Sequence, residues 1–172
     1  MRFNKNKILV SCRRAKTDGR AVIAGIAIVL LAGILSRVLS GSPLYMLRLT
    51  GLWHKVPRSW VFVLIWTFWY ALLGFIFGFV LGSRQTGKEV HKYKGSLWFV
   101  IMLVFNFIWY PLFFKAGTVF LALVDSALIL FFCVLAALEY YKVYKIFGIG
   151  LICHAIWLVW CLVMNFSAFL SI

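Results

Sequence analysis

The sequence predicts an all-α integral membrane protein, an antiparallel bundle of five transmembrane helices. Hydrophobic residues make up 65% of its 172 residues, and only 13% are charged. That charged share is about half the usual value for soluble domains, which need a charged surface. The basic residues lie between apolar runs instead of forming one face. They therefore suggest lipid headgroups as partners, and nucleic acid is not expected despite a net charge of +14.

Five apolar stretches are long enough, as helices, to cross a hydrocarbon core of ~30 Å. The predicted spans are residues 21–39, 60–82, 97–114, 118–138 and 147–169. Residues 1–20 form a basic N-terminal tail, and residues 21–172 form one membrane domain. The predicted connections are a long loop at 40–59, a charged loop at 83–96, a turn at 115–117 and a basic connector at 139–146. The 40–59 loop is long for a helical hairpin, which predicts a functional lid.

The distribution of basic residues predicts the orientation of the bundle. Thirteen of the eighteen Lys and Arg lie in the tail, the 83–96 loop and the 139–146 connector. Cytoplasmic loops carry an excess of Lys and Arg, so these three segments are expected on the cytoplasmic side. We therefore expect the N-terminus in the cytoplasm, and the C-terminus and the 40–59 loop outside.

The second span is divided into an aromatic half and a glycine half. Trp66 and Tyr70 lie in the first half, and Gly74, Gly78 and Gly82 recur at every fourth position in the second. Residues four apart share a helix face, and glycines let another backbone approach closely. The pattern predicts a cavity wall in the first half. In the second half it predicts a packing seam, either inside the bundle or between two copies of the chain.

Asn106 and Asp125 are polar residues within the third and fourth spans. They lie at similar distances from the 115–117 turn, so an antiparallel hairpin brings them to one depth, where they could meet. A charged Asp at a helix centre costs ~2.5–3.5 kcal/mol, and one interhelical hydrogen bond recovers only ~0.6 kcal/mol. Asp125 is therefore protonated, or has further partners, or reaches water. It either locks two helices together or belongs to a ligand pocket.

Two more helix faces carry aromatic and polar residues. On the third span they are Asn106, Trp109 and Phe113, and on the fifth Trp157, Trp160, Cys161, Met164 and Asn165. Trp157 is too deep for an interfacial aromatic belt, which favours a pocket role. The cysteines within the spans are typical of small core residues, so no metal site is expected.

These motifs, in this order, resemble those of the TspO/translocator-protein family, the tryptophan-rich sensory proteins. Residues 60–70 resemble the family's W-V-F-x-P-V-W-T-x-x-Y, residues 106–114 its L-N-x-x-W-S-P-L-F-F, residues 122–125 its A-L-V-[D/E], and Trp157 with Asn165 its P-Y-L-L-W…L-N. The departures are Leu64 for proline, Tyr110 for serine, Cys153 and His154 for Pro-Tyr, and Cys161 for alanine. We expect these positions in or near the pocket, where they would alter ligand preference.

The resemblance implies a bacterial-type five-helix bundle in the cytoplasmic membrane, usually a homodimer, with a pocket under the first loop. The implied ligand is a porphyrin, such as protoporphyrin IX or a haem-like ring, or another flat hydrophobic molecule; no cofactor is required. The implied ligand-binding residues are Trp66, Tyr70, Asn106, Trp109, Asp125, Trp157, Cys161 and Asn165. Light-dependent porphyrin breakdown is implied for bacterial members, with Trp66 and Trp157 as the candidate reactive residues. A sterol is not expected, because the family's sterol pattern at the end of the fifth helix is absent.

Two other kinds of function can be weighed against this reading. Motifs of hydrolases, kinases and metalloproteases are absent from the sequence, so porphyrin breakdown is the remaining candidate for an enzymatic activity. The alternative function is a small-solute transporter or channel subunit, in which Asp125 would be the coupling group.

Overall fold

The computed structural model describes residues 17–40, 59–84 and 87–171, and it confirms an all-α membrane protein. Within these ranges, five helices are long and apolar enough to cross a membrane. They are α1 (Gly19–Leu39), α2 (Ser59–Gly82), α3 (Glu89–Tyr110), α4 (Val119–Val143) and α5 (Lys145–Phe169). A π-helical turn, Pro111–Lys115, extends α3. The predicted lid, apart from its two end residues, and most of the N-terminal tail lie outside the described residues.

The helices extend into two of the segments that were predicted to be loops. The segment 83–96 is helical from Glu89 onward, and the connector predicted at 139–146 is reduced to Tyr144 between α4 and α5. Both loop predictions were wrong because hydropathy locates the hydrocarbon core, whereas helical hydrogen bonding continues into polar residues beyond it. The added turns of α3 and α4 are joined by Glu139, which lies 2.6 Å from His91 Nδ1 and accepts a hydrogen bond from Lys142 Nζ at 2.9 Å.

α1 and α2 pack backbone against backbone along the glycine row of α2. A Cβ atom built on Gly25 of α1 would lie 2.6 Å from the carbonyl oxygen of Gly74 and 2.7 Å from Cα of Gly78. The row ends where the backbone N–H of Asp18 donates to the carbonyl of Gly82 at 3.2 Å. Of the two predicted locations, the glycine seam therefore occupies the inside of the bundle.

The remaining helices form a second layer in which α4 packs between α3 and α5. Trp98 of α3 stacks on Phe132 of α4 with ring centroids 5.8 Å apart. On the other side of α4, Cys133 Sγ donates to the carbonyl of Leu151 on α5 at 3.5 Å. α2 makes few close backbone approaches to this layer, and large rings fill the space between them. The fold thus has two units, α1–α2 and α3–α4–α5, joined mainly by aromatic side chains.

The two ends of the bundle differ in chemistry. At one end, here called the basic end, Lys92 Nζ donates to the carbonyls of Leu81 at 2.7 Å and Ser83 at 2.8 Å, close to the C-terminus of α2. A cation at a helix C-terminus is favoured by the helix dipole. At the opposite end, here called the aromatic end, Ser36 Oγ of α1 donates to the carbonyl of Phe107 on α3 at 2.7 Å. The side of the membrane that each end faces remains a prediction.

Candidate functional site

A continuous aromatic wall runs along the seam between α2 and α5. Trp66 meets Trp157 edge to face, with ring centroids 6.3 Å apart and an interplanar angle of 78°. Tyr70 follows Trp66 one turn along α2 at 5.6 Å, and Trp160 stacks on Trp157 at 4.7 Å. Spacings of three and four residues place these rings on adjoining turns. Trp66 and Tyr70 are buried, whereas Trp157 and Trp160 are half-buried.

Tyr70 is held in place from two sides. Its hydroxyl donates to Asn106 Oδ1 on α3 at 2.7 Å, and both residues are buried. On the α1 side, a Cβ atom at Gly33 would lie 2.5 Å from the Tyr70 ring, so a glycine is required where the ring crosses α1. Tyr70 therefore connects three helices and fixes one edge of the wall.

Asp125 lies in the same part of the bundle with one oxygen unsatisfied. The residue is 4% exposed, and its Oδ2 has no hydrogen-bond partner within the described part of the chain. The antiparallel pairing of α4 with α5 places it at about the depth of Trp157 and Cys161. Asn106, expected as its partner, is bonded to Tyr70 instead, and no hydrogen bond joins Asn106 to Asp125 in the described ranges. A buried polar group left without a partner is unfavourable, so this carboxyl is suited to meet a ligand or water.

Three more of the predicted site residues form a separate group at the aromatic end. Trp109 Nε1 donates to Asn165 Oδ1 at 3.2 Å, and Asn165 Nδ2 donates to the carbonyl of Cys161 at 2.8 Å. Asn165 thus links α5 to α3 through its amide oxygen, while its amide nitrogen bonds within α5. The Trp109 ring stacks on Phe113 at 5.4 Å. These contacts hold the helices together, and they leave the half-buried faces of Trp109 and Cys161 as the parts that could touch a ligand.

The structure pairs His154, one of the departures expected in or near the pocket, with Trp69, which the sequence analysis did not place in the site. His154 is fully buried, and its ring lies 4.7 Å from that of Trp69, half-buried on α2. Neither ring nitrogen of His154 has a hydrogen-bond partner in the described ranges. The available signal was spacing, because these residues lie three positions from Trp157 and Trp66 on the same two helices. On α5 the aromatic wall therefore extends one turn deeper into the membrane, to about the depth that Tyr70 reaches on α2.

The departures from the family pattern separate into two groups. The side chain of Leu64 is 59% exposed and that of Cys153 is exposed, so both face outward from the bundle. The expectation that all departures lie in or near the pocket is therefore wrong for these two. Tyr110 and His154 are buried, and Cys161 is half-buried. Only changes at these last three positions can act inside the bundle.

The arrangement suits a flat, mostly apolar molecule. Large rings from α2 and α5 supply contact area, while Oδ2 of Asp125 and the Trp157 N–H remain without hydrogen-bond partners in the described part of the chain. Among the described residues, no three His, Cys, Asp or Glu side chains come together as a set of metal ligands.

Two comparisons with known proteins bear on this site. The model of the TspO/MBR family matches residues 22–170 of the chain. The chain is also 30% identical over 111 residues to the Tryptophan-rich protein TspO of Chlorobaculum tepidum, an alignment that covers 64% of this chain and 69% of that protein. The matched family range includes all the residues of the aromatic wall.

Proposed function

Because the chain belongs to the TspO/MBR family and is an integral membrane protein, we propose that it is a receptor or carrier for a tetrapyrrole such as protoporphyrin IX. The main structural support is the Trp66–Trp157 contact, which joins the two helix units through rings at the depth of the Asp125 carboxyl. In this proposal the protein acts as a homodimer in a bacterial cytoplasmic membrane, with its N-terminus inside.

Aromatic contact and two polar groups account for the proposed affinity. Stacking on a large ring contributes ~0.5–1.5 kcal/mol per aromatic pair beyond the area buried. The Asp125 carboxyl can pair with a ring N–H or a carboxyl of the ligand, and the Trp157 N–H can donate to a ligand carboxylate. An unsatisfied buried group costs about 1–3 kcal/mol, so binding would recover stability that the empty protein lacks.

The same tryptophans give a route to light-dependent chemistry. Indole is readily oxidised, so a photoexcited porphyrin touching Trp66 or Trp157 can take one electron from it. The indole is then oxidised and the porphyrin reduced by that one electron, which makes light a requirement for breakdown through this step.

A porphyrin titration tests the proposal directly. Purified protein is titrated with protoporphyrin IX by tryptophan quenching, then compared with Trp66→Phe and Trp157→Phe. Losing the stacking of both tryptophans would cost about 1–3 kcal/mol, or roughly five- to 150-fold in affinity, whereas Phe keeps a ring and weakens binding less. Light-driven loss of porphyrin absorbance should fall sharply in both variants, because the indole is gone.

Trp98→Phe is the matched control. Trp98 lies at the basic end against Phe132, away from the aromatic wall, so its replacement should change neither binding nor photobleaching. If the unmodified protein shows no saturable quenching at micromolar porphyrin, the tetrapyrrole proposal is wrong.

Asp125 also supports a second candidate, a small-solute transporter or channel subunit. Its buried carboxyl has an oxygen without a partner in the described ranges, which is a feature of proton-coupled sites in membranes. Asp125→Asn keeps the side-chain shape and removes the ionisable proton. Proton-driven uptake that this variant abolishes, with folding intact, would favour the transporter over the receptor.

A further inference from the structure

An open groove lies at the basic end of the bundle, at the surface between α3 and α4. Its volume is about 730 Å³, and it is lined by Glu89, Val90, Tyr93, Lys94, Leu97, Trp98 and Glu139. Neither the aromatic wall nor Asp125 is among these residues. The proposed tetrapyrrole function therefore leaves the groove without a role.

Two neighbouring rows of α3 form the long wall of the groove. Glu89, Tyr93 and Leu97 follow one another at steps of four, and Val90, Lys94 and Trp98 form the adjacent row. Helix geometry separates the first and last members of a row by ~12 Å along the axis. Charged groups lie toward the helix start and apolar ones toward its middle, so polarity falls along the groove.

The groove lies where a bilayer changes from headgroups to acyl chains. Residues 89–96 extend beyond the apolar span of α3, whereas Leu97 and Trp98 belong to it. Tyrosine and tryptophan are enriched at this depth in membrane proteins. Deeper along the outer surface, Val100 and Val104 of α3 are 43% and 51% exposed, which continues an apolar path for an acyl chain.

Of the charged groups at the groove, Glu139 is paired through both of its oxygens, whereas Glu89 and Lys94 are not paired among the described residues. Both oxygens of Glu139 are occupied, by His91 Nδ1 and Lys142 Nζ. Glu89 and Lys94 are exposed, and neither forms an ion pair or side-chain hydrogen bond within the described part of the chain. The groove therefore offers the Glu89 carboxylate, which also attracts the Lys92 ammonium, and the Lys94 ammonium, with the 72% exposed Tyr93 ring between Glu89 and Lys94 in sequence.

We propose that this groove binds an aminophospholipid, a lipid whose headgroup carries a primary ammonium and a phosphodiester. The ammonium would bind the Glu89 carboxylate and the face of Tyr93, and the phosphodiester would bind Lys94. One acyl chain would lie against Leu97 and Trp98. A choline headgroup has no N–H to donate to Glu89, and a glycerol headgroup offers the carboxylate no cation, so both should bind less well.

Native mass spectrometry of the delipidated full-length protein tests the proposal. Dioleoyl lipids with ethanolamine, choline or glycerol headgroups are titrated separately, and the number of bound lipids is compared. We expect the ethanolamine lipid to bind roughly three- to tenfold more tightly than the other two. Glu89→Gln should remove that preference without weakening the anionic glycerol lipid, and Lys94→Gln should weaken all three lipids, because each carries the phosphodiester.

Lys115→Gln, at the opposite end of the bundle, is the control of equal charge change and should have no effect on the preference. Circular dichroism checks that each variant keeps its helices. Equal binding of the ethanolamine and choline lipids would overturn the proposal, as would an unchanged preference in folded Glu89→Gln. An effect of Lys115→Gln equal to that of Lys94→Gln would reduce the finding to general charge attraction and would also overturn it. None of these results depends on porphyrin binding.

Discussion

Two seams of the same helix, α2, differ in how they are built. Toward α1, the glycine row allows backbone to lie on backbone, with no side chain between them at Gly74 and Gly78. Toward α3 and α5, rings such as Phe77 on Phe99 and Trp66 on Trp157 fill a wider gap. Backbone contacts cannot be adjusted by rotating a side chain, whereas rings can turn and separate. We therefore expect the glycine seam to stay closed, whereas the aromatic seam can open to admit a ligand.

The largest expected effect on stability is at the glycine seam. In Gly78→Ala the new methyl group would collide with the carbonyl of Ala21 and would lie 2.8 Å from Cα of Val22, both backbone atoms. Such overpacking typically costs ~1–3 kcal/mol, and α1 must move away to relieve it. Thermal unfolding in detergent should show the loss.

Gly150→Ala is the matched control for that change. Its methyl group would meet only the flexible end of Ile76, at 3.1 Å, so its unfolding temperature should stay close to that of the unmodified protein. Equal unfolding temperatures for the two variants would contradict the distinction between the seams.

A smaller effect is expected where one hydrogen bond crosses the aromatic seam. Tyr70→Phe removes the donor to Asn106 but keeps the ring, and interhelical hydrogen bonds in membranes contribute ~0.6 kcal/mol on average. Thr67→Val removes a hydroxyl from the same helix, and among the described residues that hydroxyl bonds only to the carbonyl of Val63, at 2.8 Å. The free energy of unfolding of Tyr70→Phe should be lower than that of this control. A double-mutant cycle that combines Tyr70→Phe with Asn106→Leu should show coupling between the two changes. Additive changes in unfolding free energy would mean that the hydrogen bond contributes nothing.

The smallest effect on stability is expected at Asp125, although its effect on binding should be large. Its Oδ2 has no partner in the described part of the chain, so Asp125→Asn should change the unfolding free energy by less than the ~0.6 kcal/mol expected for Tyr70→Phe. The contact between the Asp125 carboxyl and the ligand should contribute ~1.4 kcal/mol or more. Its loss would therefore weaken protoporphyrin binding about tenfold or more. Binding, by isothermal titration calorimetry, and unfolding are measured on the same sample. Strong destabilisation with unchanged affinity would instead assign Asp125 to locking the helices.

Much of the architecture is determined by local sequence properties. Hydropathy predicted five spans because the cost of burying charge in hydrocarbon acts on each stretch separately. The same rule could not predict that α3 starts at Glu89 or that Tyr144 alone separates α4 from α5. The contact between His91 of α3 and Glu139 of α4 supports the added turns, and it exists only once the helices are packed. Spacing along one helix likewise predicted the row of Trp66 and Tyr70 and the glycine face of α2.

Which face meets which neighbour was decided only by the tertiary structure. The sequence left open the partner of the glycine row, which is α1, and suggested Asn106 as a partner for Asp125, whereas Asn106 binds Tyr70. It also grouped Leu64 with the pocket, although that side chain faces outward. Sequence periodicity defines which residues share a face of a helix. The rotation of that helix about its axis depends on the shapes of all its neighbours, and these meet only when the bundle is packed.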